Sequence, residues 1–340
     1  MDLLLDFATR FVTQFQSPAL AFLIGGMVIA ALGSKLEIPD AIYKFAVFML
    51  LMRIGINGGI EIREADVSEM LLPAFFSIVL GCGIVLLGRV TIAMLPGVKT
   101  EDGIATAGLF GAVSASTLAA AMVLLENDGI VYEAWVPALY PFMDIPALVL
   151  AIVLADLYLK KRENGGNGKV EIWPIIKESL RGSALSALLL GLALGLLTRP
   201  GPVFEQFYDP LFRGLLSILM LIMGMEAYAR LNELRKVAHW YVVYGALAPL
   251  VHGLIAFGLG YLAHLATGFS PGGVILLAVL AGSSSDISGP PTLRAGIPSA
   301  NPSSYIGSST SIGTPVAIAI GIPMFIALGY AVFDIGAGPG

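Results

Sequence analysis

Ser283-Ser284-Ser285-Asp286-Ile287-Ser288-Gly289-Pro290-Pro291-Thr292 interrupts a segment that is apolar from Gly272 onward. Four serines, an acid, a glycine and two prolines have no place in a continuous lipid-buried helix. Backbone groups freed at such depth must be satisfied by protein or must line a cavity. The run therefore reads as a deliberate helix break. A second, milder interruption, Gly111-Ala112-Val113-Ser114-Ala115-Ser116-Thr117, lies one half-chain earlier.

The surrounding chain sets the solvent. Of 340 residues, 57% are hydrophobic and 13% charged, against about 25% charged in soluble domains. This is the composition of an all-α integral membrane protein. A bilayer crossing takes about 20 apolar residues. Ten candidate segments follow: 17–34, 40–60, 68–94, 101–125, 131–159, 175–198, 205–230, 238–266, 272–296 and 302–335. The breaks fall in the fourth and ninth. The stripe Leu3, Phe7, Phe11 and Phe15 fits an interfacial helix before the first span. The start lacks the basic region of a signal peptide, so no cleavage is expected.

A Gly/Asn-rich linker at 160–172 divides the chain into five segments (1–165) and five (172–340). Gly55 falls opposite Gly224, Gly111-Ala112-Val113-Ser114 opposite Gly282-Ser283-Ser284-Ser285, and Asp144-Ile145-Pro146 opposite Gly313-Thr314-Pro315. The offset stays near roughly 170 positions, and an odd span number per copy inverts the second copy in the membrane. With both termini outside, inner loops collect Lys35, Lys44, Arg89, Lys99, the 160–162 cluster, Arg235 and Lys236. The outer side keeps Arg10, Arg63, Arg199 and Arg213. That is the positive-inside arrangement. Arg53, within the second segment, is expected to snorkel or to pair with an acid.

At 1.5 Å per residue, 13 or 14 residues carry a helix about 20 Å into the membrane. Ser114, Asp144, Asp286 and Thr314 all reach that depth from their respective entries. Broken helices there offer N–H groups and positive dipole ends to an anion. Ser114 and Ser116, and Asp286 or Ser288, are candidate N-caps of the second half-helices, and Pro290 and Pro291 suit a first turn. Hydroxyls, freed carbonyls and the two carboxylates supply hard oxygens for a small cation. Intramembrane acids are functional by default. Gly25-Gly26 and Ser183 read as helix-packing residues, and Glu226 and His252 as cross-helix hydrogen-bonding groups.

Catalysis has no motif: no Gly-x-Ser-x-Gly elbow, no His-Glu-x-x-His, no phosphate loop. One cysteine, Cys82, and three histidines without ligand spacing give neither a disulfide frame nor a transition-metal site. An anion entering a cell works against about 2.3 kcal/mol per 100 mV, so a co-transported cation is the natural partner. The hydroxyl-rich breaks suit a small oxyanion. A sodium/proton antiporter and a membrane anion receptor or scaffold are the rival readings.

Four stretches carry a resemblance: that from Ser17 to Gly33, that from Ala138 to Leu148, that from Asp209 to Met220, and Ser284 to Pro302. They resemble the cyanobacterial sodium-dependent bicarbonate transporter family over nearly the whole chain. The resemblance implies Na⁺/HCO₃⁻ symport for CO₂ concentration across the inner (plasma) membrane, with no enzymatic activity and no organic cofactor. It implies ten transmembrane helices in two inverted five-helix repeats, helices 4 and 9 being discontinuous. A gate unit (segments 1, 2, 6, 7) and a core unit (3–5, 8–10) would move in elevator fashion within a homotrimer. A PII-like protein would bind on the cytoplasmic side, where the 160–172 linker is shorter than in relatives. Carried over by position, bicarbonate would lie among Gly111, Ala112, Val113, Ser114, Ala115, Ser283, Ser284, Ser285 and Asp286. Sodium would fall to Asp144 and Asp286 with Ser114, Ser116, Thr117, Ser288 and Thr314.

Overall fold

The computed structural model describes residues 18–64, 67–164, 173, 177, 181, 183–234, 239–286, 289–333 and 335. The stripe at Leu3–Phe15, the linker from 165 on and Ser288 lie outside the described residues, as does the Glu226 side chain. Among the described residues there are helices and connections but no strands. In order they are α1 (Pro18–Ala31), α2 (Asp40–Glu64), α3 (Val67–Val90), α4 (Thr100–Gly111), α5 (Ala115–Asn127) and α6 (Tyr140–Asn164). There follow α7 (Ser183–Leu197), α8 (Asp209–Leu234), α9 (His239–Thr267), α10 (Pro271–Ala281), α11 (Gly289–Gly296) and the composite α12 (Pro302–Val332).

Among the described residues, seven helical stretches are long and apolar enough to cross a membrane, and Ala21–Ala31, Ser186–Leu197 and Pro271–Ala281 are shorter apolar helices. The chain is a membrane-spanning protein. The Lys160-Lys161-Arg162 cluster does not begin a flexible linker, because α6 continues through Asn164. Its charged residues are good helix formers, and the next two residues in sequence are glycines, which end helices.

The helices pack as two groups. In the first, α1 lies on α8 and α2 on α7, with α8 also touching α2. In the second, α3, α4 and α6 pack mutually, α9 packs on α10, and α10 on α5 and α12. Small residues set the first group's distances, as expected where lipid supplies no hydrophobic drive between helices. Gly55 and Gly59 of α2 face Gly191 and Gly195 of α7. A Cβ on Gly55 would sit 3.0 Å from the Gly191 Cα, and one on Gly59 2.9 Å from that of Gly195. In the α1–α8 crossing, a Cβ on Gly26 would overlap the Leu221 carbonyl, and one on Gly224 the Leu23 carbonyl. Gly25 meets nothing within 4 Å, so only its neighbour serves the crossing.

The broken segments are the most enclosed parts of the molecule. The stretch from Glu101 to Leu125, which carries the first break, is buried throughout. So is α10 from Gly272 to Ala281. A helix apolar on every side belongs in the interior.

Candidate functional site

At the first break, α4 ends at Gly111 and the backbone extends through Ala112 (φ −84°, ψ 169°) to Ser114 (φ −94°, ψ 120°). Ser114 is the N-cap of α5, its Oγ accepting from the Thr117 N–H at 3.1 Å and the Thr117 hydroxyl at 3.0 Å. Ser116 lies in the first turn, with its Oγ 2.9 Å from that of Ser114. Both freed backbone groups of Val113 are met by α6. The N–H donates to Asp144 Oδ1 at 3.0 Å, and the carbonyl accepts from the Tyr140 hydroxyl at 3.1 Å. Residues four apart share a helix face, so one face of α6 satisfies the break. Asp144 is completely buried, and it accepts the Val113 N–H at the break.

The second break opens after α10. Ser283 Oγ donates to the Leu280 carbonyl at 2.7 Å and accepts the Ser114 N–H at 3.0 Å. The Ser285 N–H donates to the Leu109 carbonyl at 2.8 Å. Ser285 Oγ, rather than the Asp286 carboxylate, accepts the Gly289 N–H at 2.8 Å and so reaches the start of α11. Pro290 and Pro291 stand in the first turn of α11, where a missing N–H costs nothing. Ser309 donates to Ser284 Oγ at 2.9 Å and the Ser285 carbonyl at 3.3 Å. Thr314 Oγ1 lies 3.4 Å from Ser284 Oγ.

The two breaks meet, and Asp286 lies where they do. Its Oδ2 accepts from the hydroxyls of Ser116 at 2.7 Å and Tyr43 at 3.3 Å. Its Oδ1 is buried without a hydrogen-bond partner among the described residues. A carboxylate oxygen so enclosed is costly unless a donor or a cation meets it. Ser114, Ser116, Thr117 and Ala115 form one wall beside it. The first-turn N–H groups of Ala115 and Ser116 have no acceptor within their own helix and form α5's positive end. Among the described residues no group of three or more His, Cys, Asp or Glu gathers. The donors are hydroxyls, carbonyls and isolated carboxylates, the set that suits a hard cation rather than zinc.

Ser114, Asp144, Asp286 and Thr314, expected at one depth, are thus linked through Val113, Ser283, Ser116 and Ser284. Thr314 reaches the network through Ser284. Gly111 and Ala112 form its buried floor, a Cβ on Gly111 falling 2.8 Å from the Gly81 carbonyl. Three participants were missed from sequence: Tyr43, Tyr140 and Ser309. Ser309 had a legible signal in Gly307-Ser308-Ser309-Thr310-Ser311, a hydroxyl run within an apolar segment. His252 does not join the network. Its Nδ1 has no partner among the described residues, and its ring meets Phe110 and Tyr244 edge-on at 6.5 and 6.1 Å.

A second polar cluster lies where the helix groups adjoin. Arg53 donates to Asp209 at 2.6 and 3.0 Å and to Glu126 at 3.4 Å, with its guanidinium 4.3 Å from the Phe212 ring centroid. It pairs with acids, one of the two fates expected for it. The Arg53 side chain is 10% exposed, whereas Asp209 and Glu126 are 47% and 27% exposed. Removing the arginine therefore costs more than removing either acid. Arg53→Ala should lower stability by about 2–3 kcal/mol through lost charge-assisted bonds and ring packing. Glu126→Gln should cost about 0–1 kcal/mol. Thermal unfolding in detergent checks both.

The geometry defines a class: a helical membrane protein with two facing helix breaks around a buried carboxylate, the form of a secondary transporter's ion site. The chain belongs to the Na⁺-dependent bicarbonate transporter superfamily, whose family model matches residues 18–329. It is a sodium-dependent bicarbonate transporter and not an enzyme, with sodium as coupling ion. No curated protein matches the chain.

Proposed function

We propose that the chain is a Na⁺/HCO₃⁻ symporter in which the two ions share the meeting point of the breaks. The observation that carries this is Asp286, with one oxygen held by Ser116 and Tyr43 and the other buried with no partner among the described residues. Sodium takes that oxygen with hydroxyls of Ser114, Ser116 and Thr117, while Asp144, Ser288 and Thr314 complete or brace its surroundings. Bicarbonate lies against the first-turn N–H groups after Gly111–Ala115 and the Ser283–Ser285 hydroxyls, where helix N-termini favour negative charge.

Ten spans in two inverted repeats, 1–165 and 172–340, are part of this reading, and the seven long stretches and three shorter apolar helices among the described residues are compatible with that number. Support comes from contacts that recur under the repeat. Gly55 with Gly191 and Gly224 with Gly26 exchange on moving about 170 positions along the chain. Another such pair joins helix starts. Glu133 accepts from the Ser270 N–H and hydroxyl at 2.8 and 2.7 Å, and Asp102 from the Asn301 N–H at 2.8 Å.

The α1, α2, α7, α8 group is then the gate and the remainder the core. A mismatch in depth supports a sliding, elevator-type core. Tyr43 is about 5 Å from the start of α2, yet it meets Asp286, which the eight residues of α11 separate by about 12 Å from the same membrane face. Arg53, about 20 Å along α2, meets Glu126 at the far end of α5. Both contacts favour a core seated nearer the inner face than the gate. The homotrimer, a PII-like cytoplasmic partner, the cyanobacterial CO₂-concentrating role, the inner membrane and external termini rest on the family resemblance and on lysine and arginine placement.

Membrane vesicles supplied with labelled inorganic carbon should take it up at least about tenfold faster with an inward sodium gradient than with choline. Equal rates would end the symport reading, and proton countermovement without bicarbonate would favour an antiporter.

A further inference from the structure

Asp286 has two hydroxyl donors on one oxygen, and they come from different helix groups. Ser116 belongs to α5 and lies one residue inside its first turn, so it stays with Asp286 wherever the core goes. Tyr43 belongs to the first turn and a half of α2, packed through Gly55 and Gly59 on α7. If the core slides toward the outer face by the roughly 7 Å that the Tyr43–Asp286 mismatch indicates, Asp286 leaves Tyr43 behind. A 3.3 Å hydrogen bond does not survive such a displacement.

We propose that Tyr43 is a gate-borne positioning residue that weakens the sodium site only when the core is at its inner level. This rests on the symport reading above. The hydroxyl donates to Oδ2 of the carboxylate whose other oxygen would hold the ion, and so takes up part of the negative charge sodium would otherwise command. A hydrogen bond to a charged group is worth about a tenfold change in an equilibrium constant. A ligand shifts a conformational equilibrium only by its differential affinity for the states. A donor present at the inner level and absent at the outer one creates that difference without altering any group that touches the ions. Sodium then binds more tightly from outside and leaves more readily inside.

Tyr43→Phe keeps the ring and removes only the hydroxyl. In right-side-out vesicles with graded internal sodium, the internal concentration that halves labelled bicarbonate uptake should fall about tenfold in this variant. The external half-saturating sodium concentration should stay within about twofold of wild type. A change confined to the inner face is a readout that a general loosening of the site would not give. Unchanged values on both faces, or equal shifts on both, would overturn the proposal. Absence of sodium-dependent uptake in the unsubstituted protein would instead overturn the symport reading, so the two failures are distinguishable.

Discussion

Asp286→Ala should abolish sodium-dependent bicarbonate uptake, by at least about a hundredfold, or about 2.7 kcal/mol of lost transition-state or ion binding. A carboxylate at the middle of a membrane helix costs about 2.5–3.5 kcal/mol on insertion scales. Here, among the described residues, only one of its oxygens has donors, from Ser116 and Tyr43, and the other is buried without one. That arrangement is unfavourable unless a cation completes it. Removing the carboxylate should leave the fold intact or slightly stabilised, since Ser114 and Ser116 keep each other's company at 2.9 Å. Labelled uptake is the measurement, with variant protein matched for amount in the membrane. Wild-type rates in the alanine variant would take Asp286 out of the site.

Gly224→Leu should cost at least about 3 kcal/mol of stability, because overpacking here meets backbone rather than a movable side chain. A Cβ at this position overlaps the Leu23 carbonyl and lies 3.0 Å from the Met27 nitrogen. The α1–α8 crossing must open to admit it, and the reciprocal contact at Gly26 opens with it. Gly214, earlier in the same helix, has nothing within 4 Å of its would-be Cβ. Gly214→Leu should therefore stay within about 1 kcal/mol of wild type. Thermal unfolding and the monodisperse fraction in detergent would separate the two, and equal behaviour would contradict the close crossing.

The breaks are legible in sequence because a bilayer makes polar residues expensive. Ser283–Pro291 stands out against the apolar run before it, and Ser114 with Asp144 and Thr314 follow from counting residues inward. The partners are harder to read. Tyr43 meets Asp286 across 243 positions, and a tyrosine near a membrane helix end is ordinary. Arg53 announces that it needs an acid, but nothing local says that Asp209 supplies it. Ser285 rather than Asp286 accepts the Gly289 N–H at the start of α11, because the Asp286 carboxylate is held by Ser116 and Tyr43 instead. Gly26 and Gly25 look alike in sequence, and only the tertiary crossing assigns the packing to one of them.

The clamps at Glu133–Ser270 and Asp102–Asn301, like the α1–α8 and α2–α7 crossings, each join a residue from before the midpoint to one after it. During biosynthesis the first half therefore emerges with one side of all four contacts missing. Its acids at 102 and 133 wait for helix starts not yet translated, and its close-packing glycines face lipid. Assembly of the two helix groups is thus a late event, completed only as the final span arrives. Until then the bilayer or its insertion machinery must shelter an incomplete molecule.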